Sequence, residues 1–296
     1  MNPGENRFDI EGGKGALAPG LYLVATPIGA ARDITLRALD VLAFADVLAA
    51  EDTRTLRHLM EIHGIPLAGR HVIAVHDHNE DEAAQRLVGW IAEGKSVAYA
   101  SEAGTPLISD PGFPLARACI AAGQKVIAAP GPSAALAALT VSGLPSDRFM
   151  FAGFPPAAKG ARKDWLEGLK SIDATLIIYE SPKRINQILV EMMKCWGTGR
   201  KMALARELTK RFEEVLRGTL AEVAAMLQDR SLKGEIVLVI DRPVLEIADD
   251  AALDVALDRA LSSMSVKDAA DHVAVALNLP RRKVYQMALE RQKDRK

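Results

Sequence analysis

The chain has 296 residues, 49% of them hydrophobic and 25% charged, and a formal net charge of −1. That length buries an ample core without disulfides, and the near-neutral balance excludes a protein that coats nucleic acid by bulk charge. Cys119 and Cys195 read as reduced packing residues. No apolar run reaches membrane-span length, and the start carries acids and glycines without an apolar h-region, so a cytoplasmic protein with no membrane partner is expected.

Residues 1–18 read as a flexible arm. Five short apolar runs follow, LYLVAT (21–26), DVLAA (46–50), HVIAV (71–75), SVAYA (96–100) and KVIAA (125–129). They alternate with helical stretches near 32–44, 53–63, 79–93, 112–122 and 132–142. Strand–helix alternation at this spacing predicts βαβ units and a parallel sheet, here an N-terminal domain over 19–145. Gly143 to Asp147 reads as a linker. RFMFAGF (148–154), ATLIIYE (174–180), KMALARE (201–207), EEVLRGTL (213–220) and GEIVLVID (234–241) predict further strands, with helices near 160–170, 182–196 and 219–228. The direct strand-to-strand step near 207–213 predicts a mixed sheet, hence a second domain over 146–242. After a linker at 243–249, helices are expected at 250–262, 266–277 and 281–292, with Ser265 placed to cap the second and Pro280 to open the third. Between Arg281 and Lys296 stand seven basic residues and two acids. A helix-turn-helix module with a phosphate-binding last helix and a small helical cap on the second domain both fit this pattern.

In a parallel sheet, ligands sit beyond the carboxyl ends of the strands. Each of the first five runs is followed by a polar or Gly/Pro cluster: TPIG (26–29), EDTR (51–54), HDHNE (76–80), AGTPLISDPG (103–112) and PGPSA (130–134). These are neither a dinucleotide-binding GxGxxG nor a Walker loop. Glycine lets backbone approach a ligand and proline fixes φ in a tight turn, so the turns present main-chain groups suited to a zwitterionic nucleoside. His76 and His78 share one side of an extended segment, yet no third ligand follows at a metal-site spacing, so no metal is expected.

With GLPSDRF (143–149), YESPKR (179–184), ARELTK (205–210) and KGE (233–235) added, the chain resembles the tetrapyrrole methylase superfamily of S-adenosylmethionine enzymes from about residue 20 to 241. Within it, the chain is similar to the branch that methylates a cytidine ribose 2′-hydroxyl in 16S rRNA of the small (30S) ribosomal subunit, where the helical trio is a common appendage. Ala30 and Glu102 depart from that pattern, which usually has Asn and Asp there. The resemblance implies two α/β domains with the cofactor, S-adenosylmethionine, in a cleft between them, and a homodimer. By motif, cofactor contacts would come from Pro27, Ala103, Gly104, Thr105, Ile108, Ser133 and Ala134, and from Tyr179, Ala205, Gly234 and Glu235.

The reaction is an in-line displacement that needs alignment and loss of one proton. Asp77, His78, Glu180 and Lys210 are candidates for that proton, and the sequence does not choose among them. Arg54, Asn79, Lys183, Arg184, Arg206 and Arg211 at the expected mouth, with Arg281, Arg282 and Lys283 on the last helix, are the candidate RNA contacts. Two rival functions stand beside this reading, a tetrapyrrole C-methyltransferase and a non-catalytic nucleic-acid-binding protein.

Overall fold

The computed structural model describes residues 16–76, 79–243, 250–277 and 279–294. The chain divides into two compact units, Met1–Arg242 and Pro243–Lys296. Most of the arm expected at 1–18 and of the linker expected at 243–249 lies outside the described residues.

The first unit opens with β1 (Gly20–Val24), α1 (Leu36–Phe44), β2 (Val47–Ala50), α2 (Thr53–Ile62), β3 (His71–Ala74), α3 (Glu80–Ala92), β4 (Ser96–Ala100), α4 (Phe113–Ala121), β5 (Val126–Ala129) and α5 (Ala134–Ser142). The strands form an all-parallel sheet in the order β3-β2-β4-β1-β5. Such sheets are covered on both faces, which is why VLAA and SVAYA are apolar without alternation and fully buried. Leu42, Leu48 and Leu56 fill one face, and Leu87, Tyr99 and Leu115 the other. The helix expected from residue 32 begins instead as a single 3-10 turn at Ala31–Asp33. The chain then extends through Ile34, and the Thr35 hydroxyl caps α1 by accepting the Ala38 N–H at 3.2 Å.

Register aligns the strand ends. Val24 lies opposite both Ala100 and Ala129, and Ala50 opposite both Ala100 and Ala74. The five following loops therefore leave the sheet from one row.

The second half of this unit contains β6 (Phe149–Gly153), α6 (Lys159–Leu169), β7 (Thr175–Glu180), α7 (Ile185–Trp196), β8 (Lys201–Arg206), β9 (Glu214–Thr219), α8 (Leu220–Leu227) and β10 (Ile236–Ile240). Its sheet runs β6-β7-β10-β8-β9, with β6 and β7 parallel and every other pair antiparallel. Ile236 faces Glu180 on one side and Arg206 on the other, and Arg206 faces Glu214. The segments 181–184, 207–213 and 234–235 thus meet at one edge although they come from different parts of the chain.

Strand alternation splits this sheet into two faces. Leu176, Ile178, Leu204 and Leu238 pack under α6, α7 and α8. Ile177, Ala203, Ala205, Val237 and Val239 pack instead against Ala135, Ala138 and Leu139 of α5 and against Ile28 from the loop after β1. The small residues of α5 let the helix lie close on this face, and apolar burial joins the two sheets into one compact body.

In the second unit, α9 (Asp250–Leu261), α10 (Val266–Ala276) and α11 (Arg281–Asp294) enclose a core of Leu253, Leu257, Ala269, Val273, Leu279 and Val284. Ser265 caps α10, its hydroxyl accepting the Asp268 N–H at 3.2 Å. The Pro280 carbonyl accepts the Lys283 and Val284 N–H groups as α11 begins.

Candidate active site

Three N-terminal turns are laced together, one pair by main-chain bonds and the other through a threonine hydroxyl. Thr26 and Gly104 form an isolated antiparallel bridge, with N–H to carbonyl distances of 2.9 and 3.0 Å. The Thr105 hydroxyl donates to the Pro132 carbonyl at 2.9 Å, tying the turn after β4 to the turn after β5. Gly104 has φ +84°, and a Cβ there would meet the Ile28 side chain at 3.3 Å. Glycine satisfies both the left-handed backbone and the close approach.

The loop from Gly104 to Gly112 is fixed at its far end too. The Tyr99 hydroxyl donates to the Pro111 carbonyl at 2.8 Å, and Glu80 accepts the Gly112 N–H at 2.5 Å. Between these anchors Leu107 and Ser109 hold positive φ, of 70° and 65°. Left-handed backbone at non-glycine residues costs free energy and persists where the surroundings over-determine it. A second strained pair, Glu207 (φ 50°) and Thr209 (φ 64°), sits in the loop after β8.

The two strained loops belong to the two sheets, and the turn after β1 touches the second. The Ala30 N–H donates to the Thr209 hydroxyl at 3.0 Å. A Cβ on Gly29 would fall 2.5 Å from both the Lys210 Cγ and the Thr209 Oγ1. The Lys210 ammonium donates to Glu207 at 3.0 Å and to Glu235 at 2.9 Å, while the Glu235 N–H donates to the same Glu207 oxygen at 3.0 Å. Burial alone would depress the Lys210 pKa, but its bonds to Glu235 and Glu207 outweigh burial and raise it. Lys210 is therefore a fixed cation that clamps ARELTK to KGE and to the TPIG turn, and is poorly suited to accept a proton near neutrality.

Tyr179 closes the other side. Its ring meets Phe151 edge-on at 4.8 Å and Phe154 at 5.5 Å. Burial pushes its hydroxyl pKa up, a hydrogen bond with the Ala135 backbone at the start of α5 opposes this, and Asp110 and Glu235 push it up further. Ser133 and Ala134 lead into the same helix start. Pro27, Ala103, Gly104, Thr105, Ile108, Ser133, Ala134, Tyr179, Gly234 and Glu235 thus belong to loops or strand ends that converge here. Ala205, 1% exposed, is packed in the core between α5 and the second sheet.

Other candidates are used differently from what their sequence positions suggest. Glu180 follows Tyr179 on β7 and so points to the opposite face. Its side chain is fully buried, one oxygen accepts the Ser181 N–H at 2.7 Å, and Arg184 lies 3.3 Å away. Asn79 staples its own turn, accepting the His76 N–H and donating to the Ala74 carbonyl, both at 2.9 Å. Arg206 is paired with Glu214 at 3.2 Å, and Arg184 also donates to the Pro155 carbonyl at 2.7 Å. Arg54 is 90% exposed and pairs with Asp52. Lys183 is exposed, and Arg211 is exposed and stacks over Phe212. On α11, Arg281 pairs with Asp271, and Arg291 with Asp254 and Asp258, while Arg282 and Lys283 are exposed. Asp77 and His78 lie outside the described residues.

Asp110, inside the AGTPLISDPG motif but absent from the expected site, has its pKa pushed up to about 6. Burial is the main cause, reinforced by the negative charges of Glu51 and Glu102. Among the described residues no group of three or more His, Cys, Asp or Glu side chains is arranged to hold a metal ion, and no helix is long and apolar enough to cross a membrane.

Residues 20–224 match the family model described as tetrapyrrole (corrin/porphyrin) methylases. The chain belongs to the tetrapyrrole methylase family. Residues 247–292 match the RsmI C-terminal HTH domain, which assigns the helical trio to that domain family. Among curated tetrapyrrole methylase relatives, "Ribosomal RNA small subunit methyltransferase I" of Mesorhizobium japonicum is 46% identical over 93% of this chain and 92% of its own length. The protein of that name from Vibrio cholerae is 44% identical over 92% and 95%. Among solved structures, uroporphyrin-III C-methyl transferase of Thermus thermophilus complexed with S-adenyl homocysteine superposes with a TM-score of 0.52. It is 20% identical and covers 76% of this chain and 98% of its own. Diphthine synthase gives 0.59 at 16% identity, over 75% and 89%. These two likenesses show the shared tetrapyrrole methylase fold.

Proposed function

We propose that this protein transfers the methyl group of S-adenosylmethionine to the ribose 2′-hydroxyl of a cytidine in the 16S rRNA of the small ribosomal subunit, at its decoding centre. The observation that carries the reading is the meeting of the laced TPIG, AGTP and PGPSA turns with the ARELTK and KGE loops, in a chain 46% identical over 93% of its length to a ribosomal RNA small subunit methyltransferase I.

The residues fit the cofactor. Gly29 packs against Lys210 and Thr209, and Gly104 against Ile28, so closely that an added Cβ would press on them, and glycine at both positions lets the turns after β1 and β4 approach their neighbours. Pro27, Ala103, Gly104, Thr105 and Ile108 would hold it from one side, with Ser133 and Ala134, and Tyr179, Gly234 and Glu235 from the other. Bound there, the sulfonium supplies an activated methyl group with a good leaving group. The protein's own contribution is positioning, which supplies about 7–11 kcal/mol in well-oriented reactions. The Lys210–Glu207–Glu235 clamp holds the ARELTK and KGE loops of the second sheet together, and the Ala30–Thr209 bond ties them to the turn after β1.

RNA would meet the exposed Arg54, Lys183 and Arg211 at the mouth and Arg282 and Lys283 on α11, chiefly through phosphates. A homodimer working in the cytoplasm on the 30S particle is part of this proposal. The test is incubation with methyl-labelled cofactor and, in parallel, 30S subunits, naked 16S rRNA and uroporphyrinogen-type tetrapyrroles, followed by nucleoside analysis. Label in a 2′-O-methylcytidine is the expected result. Label in the tetrapyrrole, or failure of calorimetry to detect cofactor binding, would refute it.

A further inference from the structure

Methyl transfer to a hydroxyl leaves one proton to be removed. Lys210 is a cation engaged by two carboxylates, and Glu180 faces the helix-covered side of its sheet. We infer that Asp110 accepts this proton from the attacking 2′-hydroxyl, an assignment that rests on the function proposed above. In that step the ribose oxygen bonds to the methyl carbon as the carbon–sulfur bond breaks. The sulfur keeps the bonding pair and loses its positive charge, and the hydroxyl proton passes to the Asp110 carboxylate and then to solvent.

Geometry carries the assignment. Asp110 lies in a loop that is fixed at both ends, by Gly104 to Thr26 and Thr105 to Pro132 at its start and by Gly112 to Glu80 of α3 at its close. The left-handed residues Leu107 and Ser109 come just before it and aim this stretch away from an ordinary turn. Its charge reaches Tyr179 on β7, which packs at the start of α5. Asp110 makes no hydrogen bond or ion pair among the described residues. A half-buried carboxylate without a partner is costly unless something else uses it.

The groups that face it are Glu51 after β2, Glu102 after β4 and Tyr179 on β7. The charges acting on it among the described residues are the two glutamates, both negative. With the pKa raised to about 6, the carboxylate is mainly ionised at neutral pH and more basic than an ordinary aspartate, as a general base requires.

The test compares the full-length wild type with Asp110→Asn and Asp110→Glu on 30S subunits. It measures kcat across pH 5–9, cofactor affinity by calorimetry, and 30S affinity. Asp110→Asn is expected to lower kcat by about a hundred- to ten-thousand-fold, to leave both affinities within about twofold, and to lose the acid limb near pH 6. Asp110→Glu is expected to restore part of kcat. An Asp110→Asn enzyme within tenfold of wild type and with its pH profile overturns the inference, as does a variant that has lost cofactor binding instead of kcat. A wild type that labels no RNA overturns the methyl-transfer reading and this assignment together, whereas an active wild type beside an equally active variant overturns the assignment alone.

Discussion

The two sheets of the first unit bring their loops to the same site by different means. The parallel sheet delivers five loops in one row because parallel register places every carboxyl end at the same edge. What it presents is mostly uncharged: the Thr26–Gly104 backbone bridge, the Thr105 hydroxyl on the Pro132 carbonyl and glycines where side chains would collide. The mixed sheet uses antiparallel pairing to bring residues 181–184, 207–213 and 234–235 together, and secures them with ionised side chains. Backbone lattices are sensitive to added volume, whereas ionic clamps are sensitive to lost charge.

The largest expected effect is on the ionic side. Arg162, 4% exposed, forms a two-pronged pair with Glu191 at 2.6 and 2.9 Å and donates to the carbonyls of Pro156 and Ala157. Arg162→Leu leaves these acceptors without their buried partner and should cost about 3–5 kcal/mol in chemical denaturation. A loss below about 1 kcal/mol would show that the mixed half does not depend on its ion pairs. Gly104→Val is the counterpart on the backbone side. It combines a strained φ with crowding of Ile28, and cofactor affinity should fall at least about a hundredfold, roughly 2.7 kcal/mol. Unchanged affinity by calorimetry would move the cofactor away from this turn.

Lys210→Met tests the clamp itself, with a smaller effect because the lysine is partly exposed and Glu235 largely so. A stability loss of about 1 kcal/mol is expected, with a rise in cofactor Kd of about tenfold as the two glutamates repel and the loops separate. Glu207 adds a pH signature. The Glu235 N–H, and then Lys210, hold its pKa below the ordinary 4.5 against burial. Its stabilisation is therefore present above that ordinary value and lost as pH falls through the lower folded value. Wild type should lose more stability than Lys210→Met between pH 5 and pH 3, and parallel curves would separate the lysine from that titration.

Much of this was legible in the sequence. Apolar runs, followed each time by Gly/Pro or polar clusters, give both the strands and the row of loops. The face of Glu180 was also legible, since Tyr179 and Glu180 are neighbours on a strand and must point apart. The helix expected over 32–44 forms from Leu36 to Phe44, its start moved because the Thr35 hydroxyl caps it there. The Lys210 clamp was hidden because 207, 210 and 235 meet only through the antiparallel pairing of β8 and β10. Asp110 was hidden for a related reason. It was visible as a letter in AGTPLISDPG, but Glu51 reaches it because β2 and β4 are neighbours in the sheet order, and chain order does not reveal that adjacency.

Asp110 also gives the smallest predicted effect, and there the two halves can be compared by sign. A carboxyl raised from its ordinary 3.8 to about 6 on folding binds more protons in the native state than in the unfolded chain between those values. Stability from this group therefore falls as pH rises through that window and stays lower above it, opposite to the behaviour of Glu207. Asp110→Asn removes the penalty. The variant should gain nothing below about pH 4 and reach its full advantage above about pH 6, with the gain kept below about 1 kcal/mol because water screens a partly exposed group. Thermal unfolding of both proteins at pH 4 and pH 8 reads this directly. A variant less stable than wild type at pH 8 would mean that Asp110 holds the loop in place. A more stable but inactive variant is the behaviour of a group whose folding cost is retained for chemistry.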